Sequence, residues 1–309
     1  MNRLGILSIL LFLALTATRA QQVGDTDFHF ENPNPAYANG EGPQVCIDEA
    51  HFNFHTADGR YKPFAELLGG DGYRVSGFAY QFTREALTDC GVLVIANAVA
   101  AENQEGWSYP HPSAFSREEI NELVEWIRGG GSLLLIADHA PWPGAAADLG
   151  AVLGVHMLDG YAHHKATPDG PDFFFRAGGT LALHPIANGR SPEEQIDSVV
   201  TFGGQAFYPS GKVQPLLVFG PQATAVTAVW ENFPDTPEND APRFRVAGWL
   251  QGAARQLGQG RVVILGEAAM CTAQVSGPER RPMGMNHPKA SQNAQFCLNV
   301  VRWLSGLLD

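Results

Sequence analysis

Short, wholly apolar runs recur along this chain, and amphipathic stretches with capping signals lie between them. Val45-Cys46-Ile47, Val92-Leu93-Val94-Ile95-Ala96 and Leu133-Leu134-Leu135-Ile136-Ala137 show no polar alternation, so each reads as a strand buried on both faces. Tyr73-Arg74-Val75 and residues 155–158 read as shorter strands. Residues 61–68 predict a helix closed by Gly69-Gly70, 83–87 a short helix behind a Thr cap, and 144–153 a helix of small residues. The strongest helix signal begins at Ser116. Glu119, three residues on, completes a capping box. Ile120, Leu123, Val124 and Ile127 then follow at helical spacing, and Gly129-Gly130-Gly131 stops the helix.

Strands apolar on both faces and alternating with helices require a parallel sheet covered on both sides. The expected fold class is therefore α/β, a doubly wound and mainly parallel sheet with β-rich insertions in the second half. Beyond about residue 178, residues 199–202, 215–219, 225–230 and 262–265 read as strands, separated by turn-rich segments such as 232–242. A last helix over 291–307 carries Phe296, Val300, Val301 and Leu304 on one face. With strand 262–265 it is expected to complete the first sheet. The domain plan is an extended arm over 21–43, rich in Asn, Pro and Gly, then one α/β domain over 44–309. Its β-rich insertion spans about 178–258.

Residues 1–20 have the layout of a signal peptide: Asn2-Arg3, an apolar stretch from Leu4 to Leu15, and small residues ending at Ala20. The stretch is short for a bilayer span, and an uncleaved anchor is the alternative. A periplasmic or extracellular setting is expected, with no stable membrane insertion after cleavage. The 309 residues are 45% apolar and 17% charged, which supports a sizeable core and excludes wholesale disorder. Lys and Arg number 20 against 32 Asp and Glu, for a net charge of −12. Cleavage would remove Arg3 and Arg19, leaving 18 basic against 32 acidic residues and a net charge of −14. Such a balance disfavours nucleic acid as a partner. In an oxidising compartment the order of the four cysteines favours Cys46–Cys90 and Cys271–Cys297; four buried thiols are the alternative.

Ligands of open parallel sheets bind beyond the carboxyl ends of the strands. Here those ends deliver Asp48-Glu49-Ala50-His51, then Asn53 and His55, Asn97, Asp138-His139 and Gly266-Glu267. Asp48, His51 and His139, with His55 as an added candidate, have the residue types of a divalent-metal site, zinc or similar. The bland alternative makes Asp48 a turn cap and the histidines solvated or hydrogen-bonded. Glu49, Asp138 and Glu267 are the candidate acid–base groups. Turn capping and a salt bridge to an arginine are the structural alternatives for Asp138 and Glu267. Asn53, Asn97, Gln205 and Asn286 are candidate substrate-binding residues on polar loops. His163-His164 is a lesser candidate, and Trp107, Tyr109 and Trp142 offer a stacking wall for a sugar or simple packing.

From Leu133 to His139 the chain passes from a capped helix and Gly-Gly-Gly through an apolar strand into a sharp turn and a small-residue helix. This arrangement resembles the class I glutamine amidotransferase-like superfamily over residues 44–160, the late strand and the final helix. The resemblance implies a flavodoxin/amidotransferase-like sheet. It also implies a nucleophilic Cys in the turn after this strand, where Ala137-Asp138 stands instead, and only Glu267 has a counterpart among the partner residues. Amidotransferase chemistry is therefore not expected. The chain looks more like secreted, uncharacterised members lacking that Cys. Through Asp138-His139-Ala140-Pro141 and the 293–306 segment it is distantly similar to trehalose-utilisation-type proteins, a branch associated with carbohydrates.

These readings lead to an expected secreted enzyme, a metal-assisted hydrolase of a small polyhydroxylated, carbohydrate-like substrate. Asp48, His51 and His139 would hold the metal, Glu49 or Asp138 would be the base, and Glu267 a proton donor or orienting group. No nucleotide cofactor is expected. A metal-free acid–base lyase on the same rim is one alternative, and a non-catalytic ligand-binding domain is another. A serine nucleophile is disfavoured because no G-x-S-x-G elbow is present.

Overall fold

In a computed structural model the structure describes residues 22–164, 170–227 and 243–309. The signal-like segment, residues 228–230 of one expected strand and the turn-rich stretch 232–242 lie outside the described residues. Nine strands build the main sheet: β1 (Gln44–Asp48), β2 (Arg74–Phe78), β3 (Val92–Ala96), β4 (Ser132–Ile136), β5 (Val155–Met157), β6 (Phe207–Pro209), β7 (Gln214–Val218), β8 (Leu250–Leu257) and β9 (Gly260–Leu265). Their order is β2-β1-β3-β4-β9-β8-β6-β5, with β7 also paired to β8. The pairings from β2 across to β9 are parallel, and every pairing beyond β9 is antiparallel.

The fully apolar runs become the sheet centre, since every residue of β3 and β4 is buried. Period-two alternation sends their side chains to opposite faces. Val45, Ile47, Val92, Val94, Leu134, Ile136, Val263 and Leu265 pack with the helices Lys62–Gly70 and Asn293–Leu304. Cys46, Leu93, Ile95, Leu133, Leu135, Val262 and Ile264 pack with the helices Arg117–Arg128 and Ala147–Leu153. Both faces are thus covered, and the protein is a mixed α/β molecule with a largely parallel central sheet segment.

Strands β6, β7 and β8 fall within the span expected as a β-rich insertion, yet they extend the main sheet. The β8–β9 hairpin explains this. It pairs Leu257 with Gly260 and folds β8 back beside β9 in antiparallel sense. Three small sheets surround the main one: Gln22–Gly24 with Ala273–Ser276 and Arg281–Gly284, Gly160–His163 with Thr224–Thr227 and Arg243–Arg245, and Asp172–Phe175 with Ser198–Thr201.

Two expected helices differ in form. Residues 83–90 make consecutive turns, with the Leu87 N–H donating to Thr83 O and the Cys90 N–H to Leu87 O. The Thr83 cap is real, since its Oγ1 accepts from the Ala86 N–H at 3.1 Å. The chain must then reach β3 at once, because Cys90 is tied to Cys46 and the Gly91 N–H donates to Gln44 O. Residues 142–153 divide into the helices Trp142–Ala145 and Ala147–Leu153.

The arm before β1 is extended and firmly docked. Asp71, fully buried, accepts from Asn32 Nδ2 and the Ala36 N–H, both at 2.8 Å. Arg302, also fully buried, faces Asp71 at 2.6 and 2.8 Å and Glu194 at 3.0 Å. The four cysteines form Cys46–Cys90 and Cys271–Cys297. No helix among the described residues is long and apolar enough to cross a membrane.

Candidate functional site

The parallel register aligns the strand ends. Ala96 pairs with Ile136, and Ile136 with Leu265, so residues 97, 137–138 and 266–267 leave the sheet at one level. Two polar clusters stand on this rim.

The first is a closed clamp around His51. Its Nδ1 lies 2.9 Å from both oxygens of Asp48, and its Nε2 lies 3.0 Å from Glu119 Oε1. Asp48 also accepts from the Ala50 N–H and from Asn53 Nδ2. Glu119 completes the capping box with Ser116 and accepts from the Phe82 N–H as well. Phe82 and Phe115 flank the imidazole ring. Burial by itself would lower the His51 pKa, but hydrogen bonds and charge from Asp48 and Glu119 raise it above the ordinary histidine value. An imidazolium donates from both nitrogens, which suits a ring held between two carboxylates.

The second cluster joins Asp138 to Glu267. Asn97 sits in left-handed backbone (φ 54°), and its Oδ1 accepts the Asp138 N–H at 2.9 Å. Asp138 Oδ1 accepts from the His139 N–H, and Oδ2 accepts from the Ala268 N–H at 3.2 Å. Glu267 is buried and accepts from the N–H groups of Ala269 and Met270 at 2.9 and 2.7 Å. Burial first, and then the charge of Asp138, push the Glu267 carboxyl well above the usual range, against opposing backbone hydrogen bonds from Met270, Ala269 and Phe202. The Tyr61 hydroxyl donates to Ala268 O at 2.9 Å, and Tyr61 is raised by burial, Glu267 and Asp138 in that order. Gly204 permits this crowding: its φ is 101°, and a Cβ there would lie 2.2 Å from Gly266 O.

Aromatic side chains border the second cluster. The His139 ring stacks on Tyr161 at 4.2 Å, and Tyr161 stacks towards His163 at 6.5 Å. Trp142 packs against His139, Phe54 and Trp107 at 4.8, 5.2 and 5.0 Å between ring centroids. Trp107 is partly exposed. His139 Nδ1 donates to Ala140 O at 2.8 Å, and His163 lies 3.5 Å from Asp172.

The remaining sequence-derived candidates have structural partners or separate positions. Glu49 accepts the Ala57 N–H and covers Gly77 of β2, so its carboxylate serves the loop after β1. Asn53 spans Asp48 and the His51 backbone inside the clamp. Gln205 accepts from Leu158 N–H and donates to Ala137 O, tying strand ends together. Asn286 binds Asp25 and Gln274 O beside the small N-terminal sheet. His55 is buried between Phe54 and Tyr61.

These positions do not assemble the expected metal shell. Both His51 nitrogens are engaged by carboxylates, His139 donates to a carbonyl, and His55 belongs to the second cluster rather than the first. Among the described residues no group of three or more His, Cys, Asp or Glu side chains could hold a metal ion. The donor set Asp48, His51 and His139 therefore does not fit a divalent metal in this arrangement.

Three residues central to this geometry were not among the sequence-derived site residues. Glu119 was visible only as a capping residue, Tyr61 only as a helix start, and Tyr161 carried no local signal. Their partners come from distant segments; Glu119 meets His51 across 68 residues.

No family model and no curated protein matches the sequence. Solved structures do. The mmIFT52 N-terminal domain aligns over 84% of this chain and 97% of its own, with a TM-score of 0.58 and 12% identity. A ThuA-like protein from Bacteroides uniformis covers 89% of this chain and 94% of its own, with a TM-score of 0.47 and 14% identity. A cytoplasmic protein from Salmonella typhimurium covers 85% and 99%, with a TM-score of 0.45 and 15% identity. The first of these likenesses shows a shared fold and nothing further.

Proposed function

We propose that the protein is a metal-free acid–base hydrolase of a small polyhydroxylated compound, working through Asp138 and Glu267. The observation that carries this reading is the carboxyl pair itself. Burial and the Asp138 charge both raise the Glu267 carboxyl, which favours a proton retained on Glu267 beside Asp138. Asp138 is the more exposed member and faces the reacting atoms; Glu267 holds the proton behind it. In the proposed step Asp138 takes a proton from water while the water oxygen bonds to the electrophilic carbon. The bond to the leaving oxygen breaks, and that oxygen receives the proton from Asp138, while Glu267 keeps its own. The pair ends with one proton, as it began. His139 and Tyr161, both partly exposed, give flat surfaces suited to a sugar ring.

The strand order β2-β1-β3-β4-β9 supports a flavodoxin/amidotransferase-like, doubly wound reading of the parallel part. Asp138 follows β4 where that superfamily carries its thiol, and all four cysteines are paired, so a cysteine nucleophile has no support. The two disulfides support a periplasmic or extracellular setting.

The test is a screen of oligosaccharides and sugar esters with purified protein in the presence of a chelator. Turnover is expected to survive chelation and to fall about 100-fold or more in Asp138→Asn. Chelator-sensitive turnover, or full activity in the variant, would sink the reading. Placement of acid and base on one side also suits elimination. Incorporation of solvent oxygen into the product marks hydrolysis, whereas a new carbon–carbon double bond marks elimination.

A further inference from the structure

His55 is fully enclosed, and among the described residues neither ring nitrogen has a hydrogen-bond partner. Asn97 is fully buried too, and its Nδ2 is likewise unpartnered. Orphan polar atoms at this depth are costly and rare in folded proteins. Here they occur within one connected cluster. The Phe54 N–H, next to His55, donates to Asn97 O at 2.9 Å. The His55 ring lies on Tyr61 at 4.5 Å, and Tyr61 is under the electrostatic influence of Glu267 and Asp138. The other end of the Asn97 amide holds the Asp138 N–H. The three orphan atoms therefore belong to residues tied to the Asp138 and Ala268 backbone, Asn97 directly and His55 through Tyr61.

We propose that His55 and Asn97 form a closed site for one neutral hydroxyl group, the oxygen of a bound water or a hydroxyl of a polyol, against the Asp138–Glu267 pair. The chemistry of the lining selects a neutral group. Burial and the nearby Arg60 charge push the His55 pKa down to about 3, so the ring is neutral and offers one donor and one acceptor. The carboxyl pair disfavours an anion, and Arg60 disfavours a cation. A hydroxyl oxygen can accept from Asn97 Nδ2 and from one His55 nitrogen, and donate to the carboxyl pair. About three such bonds are what a buried water makes. Both residues would then be positioning residues, setting an oxygen beside Asp138. Only the polyol source rests on the carbohydrate reading above; the site itself does not.

The test is a high-resolution crystal structure of the full protein, without additive and after a sorbitol soak. A density peak within hydrogen-bond distance of His55 and Asn97 Nδ2 is expected. A peak unchanged by the soak assigns the oxygen to water, and a peak replaced by a sorbitol hydroxyl assigns it to a polyol. A stability measurement adds an independent arm. His55→Phe removes both nitrogens and keeps a ring of similar shape. If the nitrogens are bonded, the variant melts several degrees lower; if they are orphans, it melts at the same temperature or higher. Absence of the peak overturns the proposal, as does a His55→Phe variant at least as stable as its parent. Neither readout depends on finding a substrate.

Discussion

Replacing His51 by Leu would remove the cation from between two buried carboxylates. Asp48 is fully enclosed and Glu119 nearly so, and both use the imidazole as a partner. Breaking a buried ion pair by deleting one member costs about 3–5 kcal/mol. At roughly 2–4 °C per kcal/mol for a large domain, the melting temperature should fall by about 10 °C. The pH dependence separates this from a packing defect. The His51 pKa is raised in the folded protein, so its contribution is fully present below the unfolded value near 6.5 and is lost as pH rises through the folded value. Glu119 is lowered, because its hydrogen bonds from Ser116 and His51 outweigh burial. Its contribution is present above its ordinary value near 4.5 and is lost as pH falls through the folded value. The clamp is therefore strongest between about pH 4.5 and 6.5. Thermal unfolding followed by circular dichroism at about pH 6 and about pH 9 reads both effects. The deficit of the variant should be largest near pH 6 and shrink towards pH 9. A deficit below about 1 kcal/mol, or one independent of pH, would refute the reasoning.

Other outcomes follow from the same physics. Arg302→Met removes the buried cation facing Asp71, while Glu194 keeps Arg190, and should cost about 3–5 kcal/mol in denaturant titration. Removing the Cys271–Cys297 bond with paired Ala substitutions should cost about 3.5 kcal/mol for its 26-residue separation, read as a lower denaturation midpoint against unchanged secondary structure. Tyr161→Ala should raise KM for any sugar substrate about 10-fold with a smaller change in kcat, since its partly exposed ring stacks on His139 beside the rim.

Much of the framework could be read locally. Apolar runs marked β3 and β4 because a strand covered on both faces has no polar positions to alternate. Ser116 and Glu119 marked the start of a helix because a capping box lies within four residues. The strand-end rule brought Asp48, Asn97, Asp138 and Glu267 to one rim. Roles on that rim were less legible. The Asp48-x-x-His51 spacing suits either a metal or a hydrogen bond, and only the approach of Glu119 from a distant helix distinguishes them. Gln205 and Asn286 were polar loop residues in sequence, yet their amides are consumed by nearby backbone and side-chain groups. In the antiparallel half, residues 155–158 and 215–219 read as strands, whereas β6 is too short and β8 too weakly apolar to show, and the hairpin to β9 decides the direction of β8.

Infrared difference spectroscopy of Glu267→Gln against the parent, titrated across neutral pH, tests the carboxyl pair most directly. The parent should show a protonated-carboxyl carbonyl band that persists well above the ordinary glutamate value near 4.5 and is missing in the variant, and Asp138→Asn should move its loss to lower pH. A band already gone by about pH 5, at the same midpoint with or without the Asp138 charge, would contradict the proton retained on Glu267.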